Sequence, residues 1–224
     1  SVRANLENWN FQNSWSLAAS LDDRDLTASP SSGYYLNQQG TFTGGFLFGD
    51  RHFIRTDTTG ELFWTFFDWP VFENWSWKLV GGVHSDLSFI FPQFWVPEDY
   101  RGGSESGGPQ RYDGKARWSN WFELRTPIAE NVVWFDQFFD AAGMWRERDD
   151  FTQLGIEDML FSFGAGLRFT IPQFPIRLYL AKRFRVTNDG NVEWQTGSLL
   201  NPDEAEGGGL DFVLSFSTDF FGGN

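Results

Sequence analysis

The sequence contains no cysteine, which removes disulfide frameworks, thiolate metal sites and cysteine nucleophiles together. Basic residues are scarce beside acidic ones, 17 against 30, and leave a formal net charge of -13. Binding to a phosphate backbone rests on Lys and Arg, so no nucleic-acid partner is expected. Also missing is any run near the roughly 18 apolar residues that a membrane-spanning helix needs. A helical membrane protein is thereby excluded. Ser1–Leu6 have neither the charged nor the apolar region of a secretory leader. The only two histidines, His52 and His84, stand far apart and outside metal-ligand spacing. Asp136 and Asp140 are a candidate acid–base pair, but solvated or ion-paired roles are the expectation. No catalytic set is visible, so neither an enzyme nor a cofactor is expected.

What is abundant is aromatic: 26 Phe and 12 Trp, too many for the core of one soluble domain of this length. Apolar residues recur with period two. Phe161, Phe163, Ala165, Leu167, Phe169 and Ile171 alternate with Ser162, Gly164, Gly166, Arg168 and Thr170, so one face of that strand suits lipid and the other water. Val133, Phe135, Phe139 and Ala141 oppose Asp136 and Asp140 in the same way. Phe212, Leu214, Phe216 and Phe220 oppose Asp211, Ser215, Ser217 and Asp219, with Val213 alone interrupting the polar side. A membrane β-barrel accounts for this pattern, because its alternation keeps mean hydropathy low while aromatic girdles mark the two bilayer interfaces. A soluble β-sandwich also alternates, yet it would have to hide every aromatic in one core.

The periodicity predicts an all-β chain of about nine antiparallel strands: Trp15–Leu21, Tyr34–Thr43, His52–Phe66, Trp77–Ile90, Arg117–Arg125, Val132–Trp145, Phe161–Ile171, Ile176–Phe184 and Leu210–Phe221. The connections Asp68–Asn74, Thr126–Asn131 and Thr170–Pro175 are short and mostly carry proline. Those at Phe91–Ala116, Arg146–Leu160 and Arg185–Gly209 are long. Outer-membrane barrels place short turns in the periplasm and long loops outside, which sets the orientation. Phe163, Leu167, Leu178, Leu180, Phe212, Leu214 and Phe216 are expected to face lipid, and Arg168, Arg177, Arg183, Asp136 and Asp140 the lumen. No linker or second domain interrupts residues 1–224.

Four motifs stand in order along the chain. Leu21–Gly33 reads L-D-D-R-D-L-T-A-S-P-S-S-G, Glu123–Pro127 reads E-L-R-T-P, Phe138–Trp145 reads F-F-D-A-A-G-M-W and Gly164–Phe169 reads G-A-G-L-R-F. Taken on their own residues, Pro30 and Gly33 shape a turn in which Asp23, Arg24 and Asp25 can satisfy one another. Gly164 and Gly166 either clear the lumen face for an entering loop or only let the wall bend. Together the motifs resemble the BamA family of outer-membrane barrel-assembly insertases.

The resemblance implies a transmembrane antiparallel β-barrel of about sixteen strands, of which these are the C-terminal nine. The first strands and the soluble POTRA modules would lie elsewhere, so the expectation is a fragment, or a half-barrel closed by self-association or by another chain. In the long loop Tyr100, Arg101 and Gly102 are similar to the family's R-G-[FY] tip, with Gly103 in place of the aromatic. By the resemblance Arg101 folds back to Glu123 or Asp140. The terminal strand, with Phe212, Leu214, Phe216, Phe220 and Phe221, implies a seam at which incoming strands pair. Implied partners are the outer-membrane lipid bilayer, nascent outer-membrane proteins, and assembly lipoproteins acting through POTRA modules. Alternatives are a two-partner-secretion translocation pore and a passive porin. The implied location is the bacterial outer membrane.

Overall fold

A computed structural model describes residues 12–27, 29–48, 51–73, 75–93, 105–107, 112–129, 132–170, 176–195 and 210–216. The wall begins with β1 (Ser14–Asp22), β2 (Gly33–Thr43), β3 (Phe53–Phe72) and β4 (Trp75–Pro92). A small hairpin, β5 (Glu105–Gly107) and β6 (Tyr112–Gly114), lies in the long connection that follows and pairs only with itself. The wall resumes with β7 (Ala116–Ala129), β8 (Val133–Trp145), β9 (Met159–Phe169) and β10 (Ile176–Val186). Each wall strand pairs antiparallel with the next, and the far edge of β10 is shared by β11 (Val192–Gln195) and β12 (Asp211–Phe216). Counting that shared edge once, the sheet has the nine strand positions that the period-two pattern predicts.

Alternation sorts the side chains as expected. Leu17, Leu62, Phe139, Phe163, Leu180, Phe212 and Leu214 project from one face and are exposed, with no second layer over them among the described residues. A soluble sandwich would cover this face, and lipid suits it. Aromatics crowd both margins. At the turn end Trp69 and Trp77 approach to 5.6 Å between ring centres, and Phe66 and Phe72 are exposed. At the loop end Phe161, Phe184 and Trp194 form a ladder at 5.2 and 5.5 Å. There two short 3-10 turns, Asp149–Gln153 and Ile156–Asp158, set Phe151 against Phe89, Trp118 and Trp145. The outer loop thus folds over the rim of the wall.

Three predicted boundaries shift. β3 and β7 run on through Pro70 and Pro127 to Phe72 and Ala129, where turns were expected. Proline lacks a ladder donor and is tolerated at bulges, and the register shifts at Pro70/Phe72 and Pro127/Ala129. β9 stops at Phe169, short of Ile171. In the last strand Asp211–Phe216 is confirmed, Leu210 lies just outside it, and residues 217–221 lie outside the described residues.

The wall is not of even height. β1 and β2 have 9 and 11 residues, β3 has 20 and β4 18, β7 and β8 have 14 and 13, and β9 has 11.

Candidate functional site

The polar face is concave, and its centre is a buried charge network supplied by four adjacent strands. Register decides which residues meet: Arg125 lies opposite Asp136, Asp136 opposite Gly166, and Gly166 opposite Tyr179. Glu123 stands two residues from Arg125 on β7, so both point inward. Arg168 donates from Nη2 to Glu123 Oε2 at 2.7 Å and from Nε to Asp136 Oδ2 at 2.6 Å. Tyr179 donates its hydroxyl to the same Asp136 oxygen at 2.6 Å. Arg125 Nε sits 2.9 Å from Glu123 Oε1, a charge contact without hydrogen-bond alignment. All four charged residues are buried, and two cations balance two carboxylates. Burial of this kind is tolerable only where each ion keeps its partners.

The expected inward positions of Asp136 and Arg168 hold. The two glycines of G-x-G make room for aromatic rings on the inward face. A Cβ on Gly164 would come within 2.7 Å of the Phe138 ring, and one on Gly166 would strike the Tyr179 ring. The space they vacate is filled by Phe138 and Tyr179, whose centres lie 5.2 Å apart.

The Leu21–Gly33 turn closes over the same concave face. Arg24 binds both oxygens of Asp22, at 2.8 and 2.7 Å, and Glu61 on β3 at 2.9 Å, and lies over the Tyr35 ring. Asp22, not Asp23 or Asp25, is therefore its partner within the motif, because the D-x-R spacing returns the guanidinium to the strand end. Asp25 instead shapes the loop: its carboxylate accepts the amides of Leu26, Ser31 and Ser32 and the Ser31 hydroxyl. Burial alone would raise the Asp25 carboxyl, and these hydrogen bonds outweigh it and hold it below the usual range. Pro30 is buried with its carbonyl accepting Arg125 Nη2 at 2.5 Å. The Ser31 carbonyl and hydroxyl accept Thr65 and Lys78. Gly33 has φ of 100°, and a Cβ there would lie 2.9 Å from Arg24 Cα, which restricts the position to glycine. The two motifs read separately in the sequence are thus physically joined through Arg125.

Beside the turn, His84 Nδ1 lies 3.1 Å from Glu61 and Nε2 3.5 Å from Asp86, with the ring stacked on Trp121 at 5.2 Å. His52 accepts the Gly45 amide at 2.7 Å and so braces the connection before β3. Asp140 accepts the Ser162 hydroxyl at 2.9 Å and lines a hollow of about 460 Å³ with Arg177, Tyr179, Arg183 and Asp211. Arg101, Gly102, Phe220 and Phe221 lie outside the described residues. Both Glu123 oxygens already stand within 2.9 Å of Arg125 or Arg168.

The last feature is the edge beyond β10. Among the described residues β12 meets β10 from Ile176–Phe216 to Ala181–Asp211. Arg183 reinforces it with a 2.7 Å contact to Asp211.

Compared with known proteins, residues 2–199 match a family model described as the Omp85 superfamily domain. The chain is also 30% identical, over 251 aligned positions, to a protein of Treponema pallidum (strain Nichols) whose name is that of an outer membrane protein assembly factor. The alignment covers 95% of this chain and 28% of that protein.

Proposed function

Because the chain belongs to the Omp85 superfamily and forms part of a β-barrel of the bacterial outer membrane, we propose that it is the C-terminal wall of an insertase. On this reading it folds and inserts other outer-membrane proteins through a seam bordered by β12. The observation that carries the reading is the fall in strand length along the wall from 20 residues at β3 to 11 at β9. A short apolar wall draws the bilayer thinner beside it and lowers the cost of insertion there. An incoming strand would pair with the free edge at that seam through main-chain hydrogen bonds, with side-chain alternation fixing register. The charge network sits inland of that edge and keeps β7–β10 together while the edge moves. No covalent chemistry is required of any residue. The proposal extends to a complete barrel of about sixteen strands and to lipoproteins acting through POTRA modules, for which the remaining length of the relative leaves room.

The test is the full-length protein in phosphatidylcholine vesicles, supplied with an eight-stranded outer-membrane barrel denatured in urea. Folding, read from the heat-modifiable gel shift, is expected to run severalfold faster than in empty vesicles. A rate equal to that of empty vesicles contradicts the proposal. Passage of soluble polypeptide without any gain in folding would instead favour a secretion pore.

A further inference from the structure

β3 and β4 outrun their neighbours at the turn end. β2 begins at Gly33, where the docked turn ends, and pairs with β3 no further than Phe63. β7 pairs with β4 no further than Val80. It runs on to Ala129, but Pro127, which the register would bring opposite Lys78, has no N–H to donate. Beyond these points residues 64–72 and 75–79 pair with each other alone among the described residues. A bulge between Thr65 and Phe67 marks where this ribbon leaves the sheet, and bulges bend the strand that carries them.

The two faces of the ribbon differ. Inward, Lys78 reaches Ser31 at 3.1 Å and Asp68 at 3.7 Å, and Thr65 donates to the Ser31 carbonyl, so the docked turn occupies that side. Outward stand Trp64, Phe67, Trp69, Trp77 and Leu79 and, among the described residues, no charged side chain. Phe67 lies 5.2 Å from Trp69 and 5.1 Å from Trp77. Trp64 reaches Phe122 of β7 at 6.4 Å, which makes the row continuous with the lipid face of the wall. Trp69 and Trp77 are exposed, and neither indole N–H is donated among the described residues.

Two costs fix where such a ribbon can lie. Its bare edges carry N–H and C=O groups that hydrocarbon cannot satisfy, and its aromatic row is poorly placed in water. The interface layer meets both conditions. There water and headgroups reach the edges, while indole rings lie against acyl chains and donate N–H to lipid oxygens. We propose that the β3–β4 ribbon is a membrane anchor that beds its outward face in the interface of the leaflet at the turn end. The partner it fits is a neutral or zwitterionic glycerophospholipid surface. No cation stands on its outward row, and the exposed Asp68 and Glu73 would repel an acidic lipid. The anchor sets the depth of the wall where its strands are longest and does not depend on the insertase reading.

Nitroxide collision rates in nanodiscs of the full-length protein test this, on a chain with no cysteine of its own. Trp69→Cys and Trp77→Cys sample the outward row, Asp68→Cys and Ser76→Cys the inward side, and Leu62→Cys the lipid face of the wall. Phe67→Cys replaces any outward variant that loses the heat-modifiable gel shift. In phosphatidylcholine the ratio of oxygen to nickel-chelate collisions at 69 and 77 is expected to lie severalfold above that at 68 and 76, and below that at 62. Added phosphatidylglycerol or salt should leave it unchanged. Equal ratios on the two faces would put the ribbon in water and overturn the anchor. Low collision rates with both reagents at 69 and 77 would mean a protein partner and overturn it as well. A ratio that rises with phosphatidylglycerol would overturn the neutral surface.

Discussion

Arg168 is held by carboxylates from two neighbouring strands, and its removal leaves Glu123 and Asp136 buried without their shared cation. Breaking one partner from a buried pair costs about 3–5 kcal/mol, so Arg168→Leu is expected to lower the unfolding free energy of the barrel by that order, read as a fall in its urea midpoint. Arg185 and Glu193 make an exposed pair, and Arg185→Leu is expected to cost less than about 1 kcal/mol. Equal losses in the two variants would contradict the network. Arg125→Lys keeps the charge but not the fork that reaches both Glu123 and the Pro30 carbonyl. Faster proteolysis of residues 23–32 with the barrel still folded is the expected sign of the undocked turn.

Among elements, the Leu21–Gly33 turn depends on an ionised Asp25. A carboxyl lowered in the folded state lends stability above its unfolded value and withdraws it as pH falls through the folded value. The turn is expected to resist protease down to about pH 4 and to open below it. In Asp25→Asn, opening should be independent of pH, and an unchanged acid profile would place the effect elsewhere. β9 offers a second case. Gly166→Ala pushes a Cβ against the Leu178 carbonyl oxygen and the Tyr179 ring and should cost roughly 1–3 kcal/mol, read from the same midpoint.

These elements also mark what the sequence discloses. Alternation is local, so Phe161–Phe169 announces its strand and its two faces without the fold. Glu123, Asp140, Gly164 and Arg168 stand out by spacing for the same reason. Which of them meet depends on register across four strands, so the Arg168–Glu123 contact and its junction with Pro30 are absent from any local pattern. Pro70 and Pro127 look like turns because a bulge that accepts proline exists only once a partner strand is present. β11 had a usable signal: Asp189-Gly190 between Arg185-Val186 and Val192 is a hairpin sequence, obscured by the length of the connection around it.

For the whole molecule, the charge network and the docked turn tie the wall together across β7–β10 and from the first turn to β7, while β12 takes no part in either. An edge built this way opens far more often than the centre, because protection follows the number and burial of the bonds that must break together. Hydrogen exchange of the full-length protein in lipid nanodiscs measures that difference directly. The amides of Asp211–Phe216 are expected to exchange at least about tenfold faster than those of β3 and β4, a gap of roughly 1.4 kcal/mol in opening free energy. Equal protection from β3 through β12 would contradict a wall built to open at its terminal strand.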